Sequence, residues 1–379
     1  MRAIAVENFG DEFRLMELPD PVPGPGKVLV AIDVASINPM DWKAAQGAFG
    51  EMMENEFPLV LGFDGAGRVE AVGAGAGRFA VGDLVYGQFW GDTVGRGTFA
   101  DRIAITERPS HGALELVPEG LKPGLAAAVP TARMTAEGAL AKAGCRPGQA
   151  LLILGATGGV GVLATQLAMR AGITVIATAR GEASAWIQGF GASETIDYAE
   201  RPVAAALADA YPDGIDAVLD LVGNAEQATS ASQHVRDAGT VISTAFGVTD
   251  ELSSQDRITA ANYQLDDKPA RLEHVTGALA ADGWSFQSRT RSRSPPARPR
   301  SRATAMAVPV ARRSSGAEAA LPRSGPRSHG PLRRIATRAL ISTRGEAQCQ
   351  QPKRQATKLP SGASMMPSPT ALIRSSSPR

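Results

Sequence analysis

The chain has only two cysteines, Cys145 and Cys349, in 379 residues. This excludes a disulfide scaffold and any four-cysteine zinc site. No apolar run approaches the roughly 20 residues a membrane-spanning helix needs. The N-terminus, MRAIAVENFG, lacks the charged and apolar regions of a signal peptide. A soluble, reducing, cytoplasmic setting with no membrane partner is the expectation. Acids are almost missing from one stretch. Residues 284–379 hold 19 of the 39 Lys/Arg but only two acids, Glu318 and Glu346, of the 38 Asp/Glu. The first 283 residues therefore carry −16 and the last 96 carry +17, although the whole chain is +1. Two such compositions rarely share one packed domain. What is present is a 44% hydrophobic chain, long enough for two ordinary domains.

Residues 1–121 read as β-rich. Val28–Ile32 follows a Pro/Gly cluster and has strand character, as does Gly67–Val72. Many glycines between 62 and 97 point to tight turns in a small barrel. Residues 122–255 change to alternating strands and helices. Ala150–Leu154 is wholly apolar, as a strand buried on both faces would be. Helical spacing over Val160–Ala171 follows, then strands at Thr174–Thr178, Ala217–Asp220 and Thr240–Ser243. This βαβ series calls for a parallel sheet, and the fold class is α/β. From residue 283 the chain is rich in Arg, Ser and Pro without apolar period, and is expected to be a disordered basic tail.

The segment LLILGATGGVGVLATQLA carries the most specific motif. A buried strand ends at Leu154, and Gly155, Gly158, Gly159 and Gly161 then open a helix. The tight turn needs residues without a Cβ, the backbone must approach a pyrophosphate, and the helix N-terminus offers free N–H groups to an anion. The strand before and the helix after are what a Rossmann nucleotide site requires of this motif. Arg180 lies 19 residues beyond Gly161, where an NAD site would place an acid. An arginine there suits a 2′-phosphate, hence NADP(H). The plainer alternative is a solvent-facing arginine, and the nearby Glu182 would oppose the preference.

Further motifs lie along residues 1–281. Asn38-Pro39-Met40-Asp41-Trp42-Lys43 resembles an N-P-x-D-x-K motif, and Leu61-Gly62-Phe63-Asp64-Gly65-Ala66-Gly67 an LGxDxAG motif. Gly82–Gly87, Gly97–Asp101, Met134-Thr135-Ala136, Gly191-Ala192 with Ile196–Tyr198, and Asp220–Gly223 follow in order. Together they resemble the zinc-free quinone oxidoreductase branch of the medium-chain dehydrogenase/reductase family. The resemblance implies a GroES-like catalytic domain over 1–121, a Rossmann NADP(H)-binding domain over 122–255, and a partial return to the catalytic domain over 256–282. It implies hydride transfer from NADPH to a quinone or α,β-unsaturated carbonyl. Zinc members place cysteine and histidine where this chain has Asn38 and Phe63, so no metal site is expected. By resemblance Thr135 sits near the nicotinamide carboxamide, and Gly158, Gly159 and Val160 face the pyrophosphate. Arg180 meets the 2′-phosphate, Tyr198 lies toward the adenosine, and Gly223 belongs to the cofactor site. Asn38, Asp41 and Lys43 line the acceptor pocket, although Asp41 could instead cap a helix and Lys43 could be solvated. No tyrosine near Lys43 offers a proton, so solvent is the expected donor. Cys145 and His111 read as bystanders. The branch is often dimeric through edge pairing in the nucleotide domain, so a homodimer is expected.

Members usually end with a strand carrying Val and Pro, then PL-x-x-A-x-x-A, then G-H-x-x-G-K-x-V. Residues 284–379 do not. Read with GC-rich codons shifted by one nucleotide, Trp284–Ser288 can give Val-Val-Val-Pro, Arg293–Ser301 Leu-Ala-Ala and Pro-Ala-Ala-Leu, and Ala303–Ala311 Asp-Gly-His-Gly-Arg-Ala-Arg-Gly. A frameshift near Asp282-Gly283 is therefore expected, with reduced stability and turnover. Two alternatives stand beside the reductase: an inactive NADP(H)-binding protein, and a nucleic-acid binder using the tail. A +17 tail would bind phosphate backbones without sequence preference in any case.

Overall fold

The computed structural model describes residues 1–50, 52–91, 93–265, 268–282 and 306–309. The first half is built from β1 (Arg2–Val6), β2 (Arg14–Glu17), β3 (Lys27–Ile37), α1 (Pro39–Ala45), β4 (Glu54–Val60), β5 (Asp64–Val72), β6 (Leu84–Gln88), β7 (Thr93–Arg96), β8 (Arg102–Thr106) and β9 (Ala113–Leu116). One sheet runs β2-β1-β4-β7. The strand signals at Val28–Ile32 and Gly67–Val72 fall inside β3 and β5, which pair antiparallel through the middle of the second sheet. Alternating residues of β3 point inward, so Val28, Val30 and Ile32 meet Val69, Val85, Ile103 and Leu114 in one core.

Two helices follow, α2 (Pro123–Ala126) and α3 (Pro130–Ala143), and then the second half. It comprises β10 (Ala150–Leu154), α4 (Gly159–Arg170), β11 (Thr174–Thr178), α5 (Ala183–Gln188), β12 (Glu194–Ile196), α6 (Val203–Ala210), β13 (Ile215–Asp220), α7 (Ala225–Ser232), β14 (Val235–Ser243), α8 (Asp250–Ser253) and β15 (Thr259–Asn262). The sheet order is β12-β11-β10-β13-β14-β15, parallel throughout. β10 is buried over its whole length because both faces are covered. Leu151 and Ile153 pack with α3 and α4 residues such as Ala139 and Ala164. Leu152 and Leu154 pack on the opposite face with Leu207, Ala228 and Leu252. Each such leucine or isoleucine contributes about 1.5–3 kcal/mol by leaving water.

The return to the first half begins later than residue 256. Thr259–Asn262 pairs with β14 as the sixth parallel strand, because Thr240–Ser243 presents a free edge beside it. The return proper is α9 (Pro269–Asp282), whose Leu272, Val275 and Leu279 pack against Tyr86, Ala113 and Met134. α3 serves both halves. Its Ala132, Ala136, Ala139 and Ala143 join the core of the second half, while Met134 joins the cluster with Tyr86.

The tail expected to lack structure contributes one strand, β16 (Met306–Pro309), antiparallel to β3 with Met306 opposite Ile37 and Pro309 opposite Val34. β8 covers only Lys27–Ala31 on β3. The remaining backbone groups of β3 therefore need a partner, and an edge strand tolerates the proline. The rest of 283–379, including Cys349 and the other frameshift segments, lies outside the described residues.

Candidate active site

The parallel sheet reverses its order between β10 and β13, and ligands of such sheets bind beyond the strand ends at that point. Gly155 leaves β10 with φ +83°, a left-handed conformation that favours glycine, and its N–H donates to Thr178 Oγ1 at 2.9 Å. Gly158 is the N-cap of α4, with Gly159 and the half-buried Val160 in its first turn. Gly158 has no side chain to cap this helix, so among the described residues its leading N–H groups are available to an anion. Gly161 explains the close packing of helix on turn. A Cβ there would lie 2.5 Å from Gly155 O and 2.6 Å from Ala156 Cα.

The facing wall is the end of β13. Buried Asp220 accepts hydrogen bonds from Val222 N (2.9 Å), Gly223 N (3.2 Å) and Ser243 Oγ (2.7 Å), tying the ends of β13 and β14 together. Gly223 is thus held opposite the glycine turn. At the far side of the crevice, exposed Arg180 follows β11 and places its guanidinium carbon 5.7 Å from the centre of the Tyr198 ring. The two residues expected at the adenosine end therefore sit together. Asp197 lies beside them, its carboxyl held below the usual range by the Gly181 and Ala199 amides, with Arg180 adding to the effect.

The residues expected to line the acceptor pocket make different contacts. Asn38 precedes α1 and is buried. Its N–H donates to Asp41 Oδ2 at 2.5 Å, and its Nδ2 donates to Asp64 Oδ2 at 3.1 Å. Buried Asp41 also accepts from Phe63 N at 3.1 Å. Asp41 therefore fastens α1 to the turn before β5. Lys43 is half-buried, and its Nζ stands 5.9 Å from the ring centres of both Trp42 and Phe246. Phe246 comes from the loop after β14, so Lys43 spans the cleft between the two halves.

Thr135 is buried in α3, one turn beyond Thr131. Thr131 donates to Asp64 through its N–H (3.0 Å) and Oγ1 (2.8 Å), and its Oγ1 accepts from Gln88 Nε2 (2.6 Å). Asp64 is thus the junction between Asn38 and the first turn of α3. Burial pushes both Asp41 and Asp64 up to about 7. Asp64 entered the sequence reading only as the acid of the LGxDxAG motif, and Thr131 and Phe246 were not named at all. An acid within the Gly/Ala-rich run Gly62–Gly67 was a usable signal for Asp64, since unpaired carboxylates are seldom buried. Phe246 has no sequence signal.

Among the described residues no group of three or more His, Cys, Asp and Glu side chains could hold a metal ion. The positions where zinc members carry ligands hold Asn38, tied to Asp64, and Phe63, whose ring lies 4.5 Å from that of Trp90. Half-buried Cys145 has its thiol pushed up to about 11 by burial, and His111 is exposed beside Trp90.

Residues 24–114 match the alcohol dehydrogenase GroES-like domain, and residues 159–267 match the zinc-binding dehydrogenase domain. A chloroplast quinone oxidoreductase of Triphysaria versicolor is 31% identical over 58% of this chain and 67% of its own length. An NADPH-dependent alkenal/one oxidoreductase of Arabidopsis thaliana, also named chloroplastic, is 30% identical over 59% of this chain and 56% of its own length. Among solved structures, the quinone oxidoreductase from Coxiella burnetii superimposes with a TM-score of 0.63 at 27% identity, covering 74% of this chain and 88% of that one. The fold and these relatives define a two-domain oxidoreductase with a GroES-like half and a Rossmann half. The chain belongs to the quinone oxidoreductase branch of the medium-chain dehydrogenase/reductase family.

Proposed function

We propose that the chain is an NADPH-dependent reductase that delivers hydride to a quinone or α,β-unsaturated carbonyl without a zinc ion. The observation that carries this reading is the pairing of the uncapped glycine turn at α4 with Arg180 and Tyr198 beyond β11. When bound, the nicotinamide ring supplies the hydride. The chain's own part is positioning and charge. Gly158, Gly159 and Val160 would hold the pyrophosphate through their amides, Arg180 would donate to a 2′-phosphate with Tyr198 beside it, and Thr135 of α3 would bind the nicotinamide end. Lys43 sets a cation at the cleft, where the acceptor becomes anionic as hydride arrives. Asn38 and Asp41 shape the pocket wall, and the proton comes from solvent. The zinc-free chemistry fits an acceptor whose charge delocalises and the non-ligating Asn38 and Phe63. A cytoplasmic homodimer, paired along an edge strand of the nucleotide domain, belongs to the same proposal.

Fluorescence titration with NADPH and NADH, then NADPH oxidation with a simple quinone, tests it. Preferential NADPH binding with turnover is expected. Binding without turnover would replace the reductase with an inactive NADP(H)-binding protein. Arg180→Ala is expected to weaken NADPH binding by roughly 10- to 150-fold, the value of one charge-assisted hydrogen bond, with NADH little changed. Equal losses for both cofactors would remove Arg180 from the 2′-phosphate site.

A further inference from the structure

Phe246 stands in a conformation that few non-glycine residues adopt, with φ +63°. Its large apolar side chain is also exposed, at 61%. Strain and exposure are both unfavourable, yet the surroundings impose them. Ser243 Oγ accepts from Gly247 N at 2.8 Å and from Ala245 N at 3.2 Å, and donates to the buried Asp220 carboxylate at 2.7 Å. Ala245 O closes on Gly223, where a Cβ would lie 2.5 Å away. The loop is thus fixed from below by fully buried polar groups, and its one large side chain points away from the core. Backbone strain held this firmly clusters at ligand sites. The loop also leaves the carboxyl end of β14, beside the switch point, and the ring faces Lys43 across the cleft at 5.9 Å.

We propose that Phe246 is a specificity-determining residue: its ring is a stacking platform that selects flat, conjugated acceptors over short linear ones. This rests on the function proposed above, which sets Lys43 at the acceptor's cleft, the loop after β14 being what faces Lys43 there. An aromatic ring prefers an offset or edge-on aromatic partner at 4.5–7 Å, an arrangement a fused-ring quinone can adopt and a linear alkenal cannot. The nearby Lys43 cation favours an electron-rich reduced ring.

The test uses the full chain with NADP+ present, so that no hydride is available and binding is read without turnover. Equilibrium dialysis with 1,4-naphthoquinone is expected to show Phe246→Ala binding about 3- to 10-fold more weakly than the wild type, with Phe246→Tyr retaining affinity. Phe246→Gly relieves the φ strain, so its melting temperature is expected to rise while naphthoquinone binding falls. A purely structural phenylalanine would give a lower melting temperature and unchanged binding. With NADPH, the ratio of kcat/KM for naphthoquinone to that for trans-2-hexenal is expected to fall by a similar factor in Phe246→Ala. Unchanged naphthoquinone binding in Phe246→Ala, equal losses on both acceptors, or no naphthoquinone binding by the wild type would overturn the proposal. Phe246-dependent binding without NADPH oxidation would uphold it and defeat the reductase reading instead.

Discussion

Asp41 and Asp64 sit within one buried polar network, joined through Asn38, with no cation among their hydrogen-bonding partners in the described residues. Burial pushes each up to about 7, from an ordinary value of 3.8. The folded state then holds protons that the unfolded chain releases. Their stabilising influence is complete below the unfolded value and is lost as pH rises through about 7. Asp101 and Asp197 are shifted the opposite way, so their contribution is already in place above the ordinary carboxylate range. The urea midpoint of the wild type is therefore expected to fall between about pH 5 and about pH 8, and Asp64→Asn to fall by less over that interval. An identical pH slope in the two proteins would show that Asp64 does not keep its proton. At this scale the sequence was partly legible. The place of Arg180 was readable because it follows a predictable strand end, whereas Tyr198 was named only through the family motif. Asp41 was open between pocket and helix contact, and the structure shows its helix and turn contacts. Phe246 was invisible, since no residue type announces a positive φ on a phenylalanine.

The strand–turn–helix unit from β10 to α4 shows what an element demands of its sequence. Five apolar residues suffice for β10 because neighbours cover both faces, and period alone locates α4. The glycines are tied to geometry. A methyl group at Gly161 would meet backbone at 2.5 Å, and backbone cannot move aside as a flexible side chain would. Gly161→Ala is expected to weaken NADPH binding at least about tenfold by forcing α4 away from the turn that would hold the pyrophosphate. Retained affinity in a fluorescence titration would mean that the turn does not hold that group. β15 escaped sequence reading for the opposite reason. Thr259–Asn262 is short and barely apolar, and becomes a strand only because β14 leaves a free edge. β16 is of the same kind: its place depends on the uncovered part of β3, a tertiary fact.

For the whole molecule, two halves of ordinary composition precede a stretch of opposite charge. Residues 1–283 carry −16 and the remainder +17. We infer that a shifted reading frame near Asp282-Gly283 produced the tail. The coding DNA decides this: a frame displaced by one nucleotide is expected to encode a Val/Pro strand, PL-x-x-A-x-x-A and G-H-x-x-G-K-x-V in order. Their absence from both shifted frames would refute the inference. A tail of this origin would still bind nucleic acid, with steep salt dependence and no sequence preference. The two-domain plan was legible because strand and helix periodicity changes near residue 122, whereas the return at α9 was misplaced because β15 was not seen.

α3 has one flank sunk in each half. Ala136 and Ala139 belong to the nucleotide core, Met134 to the cluster with Tyr86 and Leu272, and Thr131 is bonded to Asp64. A door hung on a post can swing only about that post. Neither flank of α3 can leave its core without exposing apolar surface, so any turning of one half against the other carries this helix, and the Thr131–Asp64 bond with it.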